Sequence, residues 1–191
     1  MQLRGDKALT KKDWVEEVLD FWFGELKPED WFEQKDATDD AIRTRFAKLH
    51  ASLSEKAPFM SFDDPNTALA AILVFDQFPR NMFRGQAQAF STDDLAAAIA
   101  RKSIERGFDS ELPEERRMFF YMPLMHSENV ADQEHCVVLF AALAGDAVKY
   151  AIEHRDIIAR FGRFPHRNRV LGRESTTAER AFLSEHKGFG Q

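Results

Sequence analysis

One cysteine, Cys136, stands in a chain of 191 residues, which excludes an internal disulfide and any metal cage built from several thiolates. Its place in the apolar run "CVVLFAALA" suits a small core residue better than a reactive thiol. Tyrosine is also scarce, with two against eighteen Phe and three Trp. Most of the aromatic surface therefore has no polar tip to satisfy and belongs in a core. Long apolar runs are missing as well. The longest, "ALAAILVF" at 68–75 and "CVVLFAALA" at 136–144, fall far short of the roughly 20 residues that span a bilayer. No apolar stretch of signal-peptide length follows "MQLRGDKALTKK", so the expectation is a soluble, cytoplasmic protein without a membrane segment. The six histidines, at 50, 126, 135, 154, 166 and 186, include no pair three or four apart, and only Asp132 with His135 approaches the Glu-x-x-His unit of a di-iron bundle. No metal site is expected. The nine glycines form no G-x-S-x-G, P-loop or G-x-G-x-x-G, and nothing calls for a cofactor.

Strand alternation and the Asn-Gly or Asp-Gly hairpin signal are lacking too, whereas helix punctuation recurs throughout. The chain reads as one all-α domain, 1–191, of eight or nine helices in antiparallel pairs joined by short links. "TKKDWVEEVLDFWFG" carries Thr10 and Asp13 in capping-box spacing, Trp14, Val18 and Trp22 on one face, and a stop at Gly24. "DATDDAIRTRFAKLHASLSEKAP" spaces Ile42, Phe46, Leu49 and Leu53 as one buried stripe. In "DPNTALAAILVFDQFP", Asp64 is placed to cap and Pro65 to open a nearly all-apolar, central helix ending at Pro79. "STDDLAAAIARKSIERG" has hydroxyl caps, acids in its first turn and a stop at Gly107. Pro123 is expected to bend or end the helix that begins at Pro113, beside His126 and Glu128. Two further helices meet at Gly145, the second closing at Gly162, "PHRNRVLG" makes a short helix or turn, and Thr176 with Glu179 caps the last helix.

Against this background the charge is uneven. The formal net charge is -6, yet "RFGRFPHRNRVLGR", residues 160–173, holds five arginines and no carboxylate. It also echoes an earlier stretch. "QFPRNMFRG" at 77–85 and "RFPHRNRVLGR" at 163–173 each contain Phe-Pro, then Arg-Asn, then a Gly beside an Arg. Both echoes sit where the helical pattern breaks, and such breaks expose backbone N–H groups beside guanidinium forks suited to carboxylate or phosphate. Pro165 at a helix start would put the N–H groups of His166, Arg167 and Asn168 in a first turn.

The ligand-binding candidates are accordingly Asp76, Arg80, Arg84, Arg163, Arg167, Asn168 and Arg173. Asp76, Arg80 and Arg84 lie four apart and share a face if helical geometry survives Pro79. Asp76 then either stabilises the break by pairing or orients Arg80 toward a ligand. The acid–base candidates are His126, Glu128 and His166; an imidazole near pKa 6.5 is readily tuned across the physiological range. The competing reading makes Ser127 an N-cap for the next helix, His126 a satisfied buried polar group, and many of the arginines loop holders.

Three readings of function follow. In the first, residues 76–84, 121–128 and 160–173 meet in a polar site for a small anionic ligand, carboxylate or phosphate, with proton transfer by His126 or His166. The second is a helical adaptor whose arginines clamp an acidic peptide or C-terminal carboxylate. The third, nucleic-acid binding, has a sequence pI near 5.6 against it, with only one local basic patch. "VLDFWFG", "FDQFPRNMFRG", "FFYMPLMHSE" and "RFGRFPHRNRVLGRESTTAERAFL" together resemble the bacterial family called domain of unknown function 924. That resemblance implies an all-helical architecture of the tetratricopeptide-like superfamily and no assigned activity.

Overall fold

Pro79 sets the shape of the central helix. The computed structural model describes residues 11–57, 61–186 and 188. In it, helix α3 (Pro65–Ile72) does not stop at the proline; it widens into a π-helical turn, Leu73–Gln77, and resumes as α4 (Phe78–Met82). A proline offers no N–H to the carbonyl four residues back, and its ring crowds that carbonyl. Here the carbonyl belongs to Phe75, and the wider turn frees it to accept a buried hydrogen bond from the Thr92 hydroxyl at 2.6 Å. Phe78 N–H closes the π turn on the Leu73 carbonyl, and the Asp76 carbonyl accepts from the Arg80 guanidinium. Helical geometry thus survives Pro79. Thr92 does not cap the following helix through its side chain. Thr92→Val should orphan a buried carbonyl and cost about 1–3 kcal/mol, to be read from urea denaturation.

The continuous segment 65–82 is the most buried in the molecule: from Ala68 to Asp76 every residue is fully buried. Asp64 caps it by accepting from Thr67 N–H at 2.9 Å. Around it lie α1 (Lys11–Asp20), which continues through Gly24 as a π turn Phe21–Glu25, and α2 (Asp36–Lys56). The remaining helices are α5 (Asp93–Glu105), α6 (Glu114–His126), α7 (Val130–Ala141), α8 (Val148–Phe161) and α9 (Thr177–Glu185). No strand forms among the described residues, and the fold is all-α. α1, α5 and α6 pack on α3, α2 packs on α4, and α5 to α8 pack in succession, each on the next. Aromatic rings fill the junction: Phe78 lies 4.7 Å from Phe46 and 5.7 Å from Trp22, which meets Phe119 edge-on at 5.7 Å.

Pro123 does not end α6 either. The helix runs on to His126 with Phe119, Phe120 and Leu124 fully buried around the proline. That burial outweighs a lost helical bond of roughly 3 kcal/mol. Asn129, rather than Ser127, caps α7, accepting from Ala131 N–H at 2.9 Å, while the Ser127 hydroxyl donates to Asp132. Gly162 closes α8 with φ of +69°, a left-handed conformation that glycine adopts without strain. The capping box of Thr176 and Glu179 forms, whereas Thr10 and the Asp13 side chain lie outside the described residues.

Candidate functional site

Widening at 73–77 leaves Asp76 and Gln77 polar in the middle of an apolar helix, and both are buried. Asp76 faces the C-terminal end of α6, where His126 Nδ1 lies 2.8 Å from its Oδ1. Gln77 Nε2 donates to the other carboxylate oxygen, and Arg80 Nη1 stands 3.2 Å from Oδ1. Burial alone would raise the Asp76 pKa, yet the Arg80 guanidinium and the donors around it hold it down to about 2. Burial, reinforced by Arg80, pushes His126 below the usual imidazole range. At neutral pH the pair is therefore carboxylate and neutral imidazole, with Nδ1–H donating to Asp76 and Nε2 carrying the lone pair. Nε2 has no hydrogen-bond partner among the described residues.

The two echoes meet one layer out, on Asp93 at the start of α5. Arg80, from the first Arg-Asn pair, donates to both Asp93 oxygens at 2.9 and 3.0 Å. Arg167, from the second, donates to Asp93 Oδ2 at 3.0 Å. Both guanidiniums lie over the Phe90 ring, at 5.8 and 4.5 Å from its centroid, and Arg167 is also 4.5 Å from that of Phe164. Burial lowers Arg167 to about 10, still protonated at neutral pH. Two carboxylates and two guanidiniums thus form a buried, neutral cluster behind His126.

In front of it opens a cavity of about 510 Å³, within the range typical of small-molecule sites. Gln77, Arg80, Asn81, Arg84, His126 and His154 form its polar part, and Glu33 is the one carboxylate among its lining residues. Met118, Met122 and Met125, spaced along one face of α6, form the apolar wall with Trp31, Phe32, Phe140 and Tyr150. Phe32 and Tyr150 are exposed. His154 approaches the Tyr150 carbonyl through Nδ1 at 2.7 Å, and burial drives its pKa to about 3.

Other residues singled out from the sequence are engaged elsewhere. Arg84 donates to both oxygens of Asp39, at 2.9 and 3.0 Å, and Asn81 to one of them at 2.8 Å, so these two line the cavity with that carboxylate already bound. Arg173 and Glu128 pair with each other at 2.7 and 2.9 Å, and Glu128 also accepts from Phe164 N–H. That bond ties the second echo to the α6–α7 junction. Arg163 is held by Glu179 at 2.6 and 2.9 Å and by the Glu174 carbonyl, and Asn168 donates to Ser175. None of these four lines the cavity. Pro165 opens only a single 3₁₀ turn, and two of its three first-turn donors are already used: Arg167 N–H bonds the Phe164 carbonyl and Asn168 N–H the Pro165 carbonyl. Arg167 N–H and Asn168 N–H are therefore spent within the turn itself.

A family model described as "Bacterial protein of unknown function (DUF924)" matches residues 18–187. The chain belongs to this family. A solved structure, "Structure of Protein of Unknown Function ATU0120 from Agrobacterium tumefaciens", is similar at 39% identity with a TM-score of 0.87, covering 93% of this chain and 100% of that one. No curated protein matches the sequence. This DUF924 chain therefore has a relative of the same fold, and its chemistry must be read from its own residues.

Three contributors escaped the sequence reading. Asp93 looked like a first-turn acid complementing the dipole of α5, and nothing local marks it as a shared partner for two distant arginines. His154 had a usable signal: it shares the buried stripe of α8 with Ala151, Ile157 and Ile158, a position where a polar residue calls for explanation. Nothing in the sequence pattern singled out the methionines of α6.

Proposed function

We propose that the protein binds a small amphipathic anion, a carboxylate with an apolar body, in the 510 Å³ cavity, and that His126 serves as proton acceptor toward a water beside it. The observation carrying this reading is the cavity's division into a methionine and aromatic wall and a polar end bearing two arginines and two histidines. Methionines are flexible and polarisable, and suit an apolar body of variable shape. Since Asp93 and Asp39 already pair with Arg80 and Arg84, the head group is held by hydrogen bonds and fit more than by net charge. An ionised, buried Asp76 fixes the His126 tautomer and would stabilise the imidazolium formed on proton uptake. The adaptor reading draws on the same arginines, and the carboxylates paired with them weaken it. No described helix is long and apolar enough to cross a membrane.

The test is calorimetric titration with straight-chain carboxylates of increasing length, alongside alcohols of matching length. Each methylene buried is worth about 0.8 kcal/mol, so affinity should rise about four-fold per carbon until the cavity is full. Carboxylates should bind more tightly than the alcohols, and Met122→Trp should abolish binding by filling the apolar end. Absence of saturable binding, or equal binding by Met122→Trp, would overturn the reading.

A further inference from the structure

A second, much smaller chamber lies where the loops of the two echoes touch. Its volume is about 30 Å³, and its walls include Arg80, Arg84, Phe90, His166 and Arg169, with no carboxylate among its lining residues. Such a space holds one or two waters or a single small ion and excludes an organic molecule. The turn at Gly85, with φ of +74°, carries the first loop across Phe90, and the turn after Pro165 brings His166 and Arg169 against it.

The charges around it do not balance. Arg80, Arg84, Arg167 and Arg169 supply four cationic groups, while Asp39, Asp76 and Asp93 supply three carboxylates. Asp93 is shared by two guanidiniums, and the Arg169 guanidinium has no ion pair or side-chain hydrogen bond among the described residues. Arg80 Nε is buried with no hydrogen-bond partner, although the Arg80 side chain is itself more than nine-tenths buried. One surplus positive charge and one unspent buried donor thus belong to side chains that wall a chamber sized for one ion.

We propose that this chamber binds one small inorganic anion, with Arg169 as its outer, solvent-facing wall. The anion neutralises the surplus charge and locks the two loops together across Phe90. The inference does not depend on the larger cavity having a ligand, because the two spaces are distinct and share only Arg80 and Arg84 among their walls.

The experiment uses the full chain in a buffer of bulky organic ions, titrated calorimetrically with inorganic phosphate and, separately, with chloride. Expected is saturable one-to-one binding of at least one of the two, weakened ten-fold or more in Arg169→Gln and unchanged in Met122→Trp. Arg169 is exposed, so its replacement leaves the core intact. Failure of both anions to bind saturably would overturn the site, as would equal affinity in wild type and Arg169→Gln. Loss of carboxylate binding with retention of phosphate or chloride binding would sink the proposed function and leave this site standing.

Discussion

Asp76→Asn is expected to lower the unfolding free energy by about 3–5 kcal/mol and the Tm by roughly 10 °C or more in a chain of this size. Asp76 is fully buried and bonds His126, Gln77 and Arg80. Its neutral isostere leaves the buried Arg80 dependent on Asp93, whose charge is already shared with Arg167. The cluster would then carry net positive charge in a site that water cannot screen. The substitution also removes the charge that orders the His126 tautomer, so binding that depends on Nε2 should weaken together with stability. A double-mutant cycle separates charge from packing. If the uncompensated guanidinium causes the loss, Asp76→Asn combined with Arg80→Met should be less destabilised than the two single changes added, by about 0.5–3 kcal/mol. Additivity within a few tenths of a kcal/mol, measured by chemical denaturation, would show that the charges are not coupled.

The same cluster shows what could be read from residues alone. Helix identity, the central place of 65–78 and most stops follow local rules: Asp64 before Pro65, Gly162 in the left-handed region, Thr176 three before Glu179. Those rules act over one turn, and a sequence displays them directly. The expected stop at Pro79, and a stop at Pro123, did not occur for the opposite reason. Whether a helix survives Pro79 depends on what receives the Phe75 carbonyl, and the receiver, Thr92, lies seventeen residues away on another element. In α6, burial of residues on both sides of Pro123 decides the matter.

For the site, the four-residue spacing put Asp76 and Arg80 on one face only on condition that the helix outlasts Pro79, and since it does, the two meet, four residues making about one turn even beside a π widening. The echo of Arg80 and Arg167 was visible, but its common destination was not. Shared use of Asp93 is a tertiary fact that no local pattern encodes. The arginines nearest one another in sequence behave differently in space: Arg163 and Arg173 hold loops through Glu179 and Glu128, while Arg167 reaches the buried cluster. A run of like charges therefore indicates that partners are needed and leaves open which carboxylates supply them.

Stability should fall steadily as pH drops from about 6 to 4, before most carboxylates titrate. Burial pushes His154 down to about 3, and burial with the neighbouring Arg167 does the same to His166. Burial and Arg80 lower His126, and burial lowers His50. An unfolded histidine titrates near 6.5. Between that value and the folded pKa the unfolded chain takes up protons that the folded chain refuses, so the unfolding free energy rises with pH across the window. The stabilisation is fully present above about pH 6.5 and is lost as pH falls toward 3. His154 alone contributes a slope of about 1.4 kcal/mol per pH unit, equivalent to a Tm change of roughly 3–6 °C, and the other histidines steepen it. Asp76, Glu128 and Glu179, all held below the ordinary carboxylate range, act with the same sign but only below about pH 4.5, where their unfolded forms begin to protonate. Onset near pH 6 in a series of thermal melts therefore identifies the histidines, and His154→Gln should flatten the slope between pH 6 and 4. A Tm constant across that interval, falling only below pH 4.5, would mean that these imidazoles are free to protonate in the folded chain, and His126 would lose its standing as the neutral acceptor facing the cavity.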